Sequence, residues 1–260
     1  MSSWFFLQDR QPRGAAENMA VDEYLFDLCH QQKAGFLRIY SWLRPTFSFG
    51  VSQKIEKAVN AGFIENNGYE YVRRITGGKA VLHDNEITYA VASSEDVFFR
   101  EHDPHHSYLL ISRVLVDAFR SIGIDASFSK GSSGEMARSH HPCFSFPASN
   151  EIEVNGKKIV GSAQKRDRTA LLQHGSIPVT MNYELYAVGS NSDAEFIRRS
   201  MTTLTAVSSV KKEDCIQALV SSFARFIDGP LAEFDSDVID LGQMEKLTEK
   251  YRSREWNFRN

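Results

Sequence analysis

Cysteine is scarce in this chain. Cys29, Cys143 and Cys215 are spread over 260 residues with no Cys-x-x-Cys, which excludes a disulfide scaffold and points to reduced thiols in a cytoplasmic protein. Long apolar runs are lacking too. No stretch approaches the length needed to span a bilayer, and the opening Met1–Arg10 lacks the basic flank and apolar length of a signal peptide, so no membrane association is expected. Nor is there a surplus of positive charge. Lys and Arg number 30 against 33 Asp and Glu, for a net charge of −3, so nucleic acid is not an expected partner. The basic runs Arg73-Arg74, Lys165-Arg166-Asp167-Arg168 and Lys211-Lys212 are short, as solvated faces are. Repeats and low-complexity linkers are also missing, and residues 1–260 read as one domain, expected as a monomer.

What is present is clear patterning. Asn18 is placed to cap a helix reaching about Gln32, striped by Met19, Tyr24, Leu25 and Leu28. Strand signals follow at 36–41, 46–51, 69–75, 80–83 and 87–92, the last alternating at Ile87, Tyr89 and Val91. A short helix is expected over 54–66. Ser107 is placed to cap a longer one over 108–122 that closes at Gly123, with a further strand at 124–128. Residues 130–141, rich in Ser, Gly and His, read as a loop with Cys143 at its far end. Asn155-Gly156 is the strongest hairpin signal, because a two-residue primed turn needs positive φ at both positions. It joins 150–154 to 157–163, with a third strand, 169–173, alongside. Helices are expected at 192–199, 212–227 and 242–251. Strands in the middle and helices at both ends imply an α+β fold: a mixed or antiparallel central sheet plus a smaller sheet, flanked by helices.

Two constellations carry chemistry. The first is Arg73-Arg74-Ile75-Thr76-Gly77-Gly78-Lys79, running on to His83-Asp84. Read plainly, Gly77-Gly78 is a hairpin turn among exposed basic residues. Read chemically, it is a loop whose free N–H groups and flanking cations suit an anionic or carbonyl-bearing ligand. The second is Cys143 with Lys158. Only a thiolate attacks well, and an ordinary thiol of pKa about 8.5 is only a few per cent ionised at neutral pH, so a neighbouring ammonium would raise that fraction. Hairpin register argues otherwise. It sets Glu153 opposite Lys158 and Ile152 opposite Ile159, which reads as an exposed ion pair worth about 0–1 kcal/mol. Cys143 then reads as a small buried hydrophobe. Spacing alone favours this plainer reading, although Val160, on the Lys158 face, is apolar. A metal set of His140, His141, Cys143 and His174 lacks the paired spacings of structural zinc, and no nucleophile elbow surrounds Cys143.

Taken in order, Asn18-Met19-Ala20-Val21-Asp22-Glu23, Leu37–Trp42, Phe47–Gln53, the arginine–glycine loop, Lys158–Gln164, Gln173–Ile177 and Lys250-Tyr251 … Glu255-Trp256-Asn257-Phe258 resemble the lipoate–protein ligase and octanoyltransferase family, which shares its catalytic domain with biotin–protein ligases. The likeness covers nearly the whole chain, and the ordered set is highly specific. It implies the biotin/lipoate ligase catalytic fold and one of two chemistries. Transferases carry an octanoyl group from octanoyl-acyl carrier protein through a cysteine thioester to a lysine of a lipoyl domain, without a cofactor. Ligases activate free lipoate with ATP and Mg as an adenylate. Cys143-Phe144 is similar to the cysteine motif of the Gram-positive transferases, and His83-Asp84-Asn85-Glu86-Ile87-Thr88-Tyr89 is closer to the transferase form. The chain also leaves no room after Trp256 for the accessory domain many ligases carry, whereas Asn150-Glu151 resembles the Asn-Asp of ligases. The resemblance thus implies Cys143 as nucleophile and Lys158 as the residue that holds the carbonyl and moves protons. It implies Arg73, Arg74, Gly77, Gly78, Lys79, His83, Gly161, Ser162 and Ala163 as substrate-binding residues, and no metal. The implied acceptors are lipoyl domains of 2-oxoacid dehydrogenases or the glycine cleavage H protein.

Overall fold

A computed structural model of the chain describes residues 3–99, 103–129, 151–234 and 239–259. Its strands in chain order are β1 (Ser3–Gln8), β2 (Ala34–Tyr40), β3 (Thr46–Phe49), β4 (Glu70–Arg73), β5 (Val81–His83), β6 (Glu86–Ser93), β7 (Ser127–Phe128), β8 (Ile152–Val154), β9 (Lys157–Lys158), β10 (Gly161–Arg166), β11 (Leu171–Pro178) and β12 (Ala232–Glu233). Six form a sheet in the order β10-β11-β6-β2-β1-β12, and the others make two three-stranded sheets, β4-β3-β5 and β7-β8-β9. In the large sheet β1 runs parallel to β2 and β12, and every other pair is antiparallel. This is the expected α+β architecture.

The alternation in β6 separates two cores. Ile87, Tyr89 and Val91 pack with Ile111, Leu115, Leu219 and Phe223 from the helices Pro104–Ser121 and Lys212–Phe226. On the other face Ala90 and Ala92 join Met19, Val21 and Leu25 of the helix Ala15–Gln31. A third cluster, around Phe47, Phe49 and Ile64, fills the β4-β3-β5 unit. Among the described residues no helix is long and apolar enough to cross a membrane.

Several expectations are corrected by packing. Trp4–Leu7 was read only as an apolar opening, yet it forms β1, covered on both faces: Trp4 enters one core and Leu7 the other. A two-sided strand has no alternation to betray it. The first helix starts at Ala15, with Glu17 accepting from the Gly14 N–H at 3.0 Å. Asn18 is no cap; it is buried, donating to the Arg13 and Ser41 carbonyls and accepting from Arg38. Asp103, not Ser107, caps the helix Pro104–Ser121. The helix expected over 54–66 is two, Ile55–Ala58 and Ala61–Asn66, divided where Asn60 caps the second.

Two turns position the site. Asn155 and Gly156 have φ of 52° and 72°, the primed turn expected, and Glu153 lies opposite Lys158. The strand expected over 157–163, however, breaks at the buried Ile159-Val160. Beyond the break the chain leaves the hairpin and pairs with β11, the third strand expected alongside, which on its other edge pairs with β6 and so brings this segment into the large sheet. Gly77-Gly78 is likewise no hairpin turn, since β3 lies between β4 and β5. The loop packs on Gly50, where any Cβ would sit 2.0 Å from the Gly78 carbonyl oxygen; only glycine permits that approach.

Candidate active site

Lys158 stands at the break in the strand, and its surroundings differ from those register implies. Its side chain is 0% exposed, and its Nζ meets Glu151 Oε1 at 2.6 Å. The half-buried Glu153 is only its cross-strand neighbour. A third segment explains the burial. Met201 bridges to Lys158, and the Thr202 N–H donates to the Lys158 carbonyl at 2.9 Å, so the chain after the helix Ala194–Ser200 covers the hairpin edge. Burying an ammonium alone costs several kcal/mol, and Glu151 offsets that penalty.

Three residues further on, the chain borders a pocket. Gly161, Ser162 and Ala163 form one wall and His174, Gly175 and Ser176 of β11 another. Met19, Tyr40, Trp42 and Val81 supply apolar surface, while Ser48, Arg74, His83 and Thr88 supply polar groups. The pocket is narrow: the space open to the centre of a water molecule is about 20 Å³.

Arg74 organises the polar side. Its guanidinium donates to Ser48 Oγ (2.8 Å), Thr76 Oγ1 (3.3 Å), and the carbonyls of Gly77 (2.8 Å) and Lys79 (3.1 Å). Ser48 Oγ lies 2.6 Å from His83 Nε2, and His83 Nδ1 lies 2.7 Å from Glu86 Oε1. Thr88 and Ser176 donate to the same carboxylate. Trp42 stacks on the His83 ring at 4.2 Å and donates to Thr88. On the other side Thr76 Oγ1 lies 2.7 Å from His174 Nε2, and His174 Nδ1 lies 2.8 Å from Asp22 Oδ2. Burial works to raise the Asp22 pKa, but Arg38, at 2.6 Å, and His174 outweigh it and hold the carboxyl below its ordinary value. Burial pushes His174 below 6.5, with Asp22 opposing in part.

Of the residues singled out by sequence, Arg74, His83, Gly161, Ser162 and Ala163 line this pocket. Gly77 and Lys79 supply carbonyls to Arg74, and Gly78 rests on Gly50. Arg73 is turned away, donating to carbonyls of Val51, Gln53, Trp256, Asn257 and Arg259. Cys143 lies outside the described residues, as do His140, His141 and Asn150. The other thiols, Cys29 and Cys215, are buried, which pushes both up to about 12. Among the described residues no group of three or more His, Cys, Asp or Glu is placed to hold a metal. Sequence reasoning missed Ser48, Glu86 and Asp22 as parts of the site. The signal for two of them was local: Ser48 lies between two phenylalanines, and Asp22 falls on the Met19–Leu25 stripe.

This fold is that of a known group. The profile of the Lipoyl protein ligase A/B catalytic domain matches residues 14–224, and the chain belongs to that family. At finer resolution it is similar to Octanoyltransferase LipM of Kyrpidia tusciae, 36% identical with 100% of each chain covered. Octanoyltransferase LipM of Bacillus anthracis is 33% identical, with 98% of each covered. Among solved structures the fold is shared with a lipoate-protein ligase A bound with ATP, at TM-score 0.80, 22% identity and 99% coverage of each chain. The putative lipoate protein ligase of T. acidophilum with bound lipoic acid gives 0.79, with the same identity and coverage.

Proposed function

We propose that the protein is an octanoyltransferase that takes an octanoyl group from octanoyl-acyl carrier protein, holds it as a thioester on Cys143, and passes it to a lysine of a lipoyl domain. The full-length likeness to octanoyltransferases carries this reading, whereas the likeness to ligases is one of fold. The buried Lys158–Glu151 pair, three residues before the Gly161–Ala163 wall along the chain, supports it. In the first step the Cys143 thiolate attacks the thioester carbonyl; the new C–S bond forms, the carrier C–S bond breaks, and the carrier thiolate takes a proton. In the second a neutral lysine amine attacks the Cys143 thioester, the amide forms, Cys143 leaves as thiolate, and the amine releases a proton. Lys158 stabilises the negative charge that develops at the carbonyl oxygen in both steps. No ATP enters, because one thioester is exchanged for another and the final amide makes the sequence downhill.

The alkyl chain lies against Met19, Tyr40, Trp42 and Val81, each methylene contributing about 0.8 kcal/mol on burial. Room for about one water is too little for eight carbons, so the lining side chains part as the chain enters. The acceptors are lipoyl domains, of a 2-oxoacid dehydrogenase or the glycine cleavage H protein. A solved neighbour at TM-score 0.79 is a bi-partite lipoate protein ligase from T. acidophilum described with its E2 lipoyl domain.

Intact-mass spectrometry after mixing with octanoyl-acyl carrier protein tests the reading. One added octanoyl group, lost in Cys143→Ser, is expected. Full activity of Cys143→Ser, or pyrophosphate release from ATP and lipoate with no acyl adduct, overturns it in favour of a ligase.

A further inference from the structure

Arg74 has only donors to offer, and this fixes protons further along both chains of hydrogen bonds. Ser48 Oγ and Thr76 Oγ1 each accept from the guanidinium, which leaves each hydroxyl proton to point elsewhere. Among the described residues the other polar atom within hydrogen-bond distance of each hydroxyl is an imidazole Nε2, His83 at 2.6 Å and His174 at 2.7 Å. Behind each ring stands a carboxylate already serving as an acceptor. Glu86 receives Thr88 and Ser176, and Asp22 receives Arg38 and Tyr40. Each Nδ1 therefore donates. A second proton on either Nε2 would place an imidazolium one hydroxyl away from the guanidinium, a like-charge pair in a buried site.

We propose that Ser48, His83 and Glu86 on one side, and Thr76, His174 and Asp22 on the other, are positioning residues that lock Arg74 against the Gly77 and Lys79 carbonyls by holding both imidazoles neutral with the proton on Nδ1. Arg74 is then the clamp of the glycine loop rather than a free hand for substrate, since its donors are directed to Ser48, Thr76 and the two loop carbonyls. The two relays meet at one guanidinium, so the loop beside the pocket depends on both. The effect on turnover rests on the octanoyl-transfer reading above; the proton arrangement does not.

Long-range proton–nitrogen NMR on the full chain labelled with 15N-histidine reads the tautomers directly, with His83→Asn and His174→Asn assigning the signals. At pH 7 both rings are expected neutral and protonated at Nδ1. A proton on Nε2 of either ring, alone or as imidazolium, overturns the proposal. In the transfer assay Ser48→Ala and Thr76→Val are each expected to lower kcat/KM about 10- to 100-fold through loss of alignment, with Ser48→Thr and Thr76→Ser restoring most of it. Unchanged kcat/KM in both hydroxyl-deleted variants sinks the positioning role. If the wild-type chain transfers no octanoyl group, the functional reading fails while the NMR result still decides the network.

Discussion

Arg73 ends β4 and Arg74 follows it directly, and the two side chains go to different partners, as consecutive residues of extended chain do. Arg73 holds the C-terminal segment: besides its five carbonyl acceptors, its N–H donates to Asn257 Oδ1 at 2.8 Å, and Trp256 Nε1 donates back to the Arg73 carbonyl at 2.8 Å. Arg74 holds the glycine loop and two hydroxyls. The difference lies in what stands behind the acceptors. Backbone carbonyls do not titrate, and those of 51–53 and 256–259 come from separate segments that Arg73 ties together, so Arg73 is a staple. The hydroxyls lead on to histidines and carboxylates beside a pocket, and the transfer reading gives Arg74 a part in function that Arg73 lacks. On that reading a pair of adjacent arginines divides stability from function.

Lys158 offers the largest test of that division, because the transfer reading gives it a catalytic role beside the structural one of its ion pair. Lys158→Met is expected to reduce octanoyl transfer by at least about 100- to 1000-fold, the scale of a lost charge-stabilising donor. It also strands Glu151 in the interior, at about 3–5 kcal/mol. Lys158→Met with Glu151→Gln should recover much of the melting temperature and none of the activity. Recovery of both in the double variant would make Lys158 merely structural.

The arginines themselves come next. Arg74→Met is expected to lower kcat/KM about 100-fold per folded molecule. Arg73→Met is expected to lower stability by about 2–4 kcal/mol, since hydrogen bonds from a charged donor contribute about 1.5–3 kcal/mol each and do not add fully, and to leave kcat/KM of the folded fraction near wild type. Thermal melts and transfer assays on the same samples decide it; equal effects of the two variants on both readings would erase the distinction.

Much of this was legible in the sequence, and the failures that bear on the site have a common cause. The turn at Asn155-Gly156, the register that sets Glu153 opposite Lys158 and the alternation in β6 are local rules that held, whereas the caps read at Asn18 and Ser107 were misplaced by about a turn because each helix begins earlier. Burial of Lys158 was not legible, because the cover comes from Met201 and Thr202, more than forty residues away. Gly77-Gly78 looked like a hairpin because nothing near it announces that β3 lies between its flanking strands. Arg73 and Arg74 looked alike for the same reason. Which face a strand residue takes is local, but what waits on that face is not.

Acid sharpens the contrast on a smaller scale. Because burial holds His174 below 6.5, the unfolded chain binds an extra proton between the folded value and 6.5. Stability is therefore full above about pH 6.5 and falls as pH drops through that window. His174→Asn should flatten the slope of melting temperature against pH there. Arg73→Met should leave the slope intact while lowering the whole curve, because the staple's acceptors are carbonyls and an amide oxygen.

The smallest expected effect is at Gly156, and it separates holding a residue from using it. At φ 72° an added Cβ has nothing within 4 Å to strike, so Gly156→Ala carries only the backbone cost of that conformation, about 1 kcal/mol. For a chain of this size that lowers the melting temperature by about 2–4 °C. The hairpin is also anchored by Ile152, Val154 and Ile159, all buried, so Lys158 should keep its partner and its transfer rate. A rate loss beyond that accounted for by the unfolded fraction would mean that the turn itself sets the position of Lys158, and that the hairpin, not the cover from Met201, is what holds the cation in place.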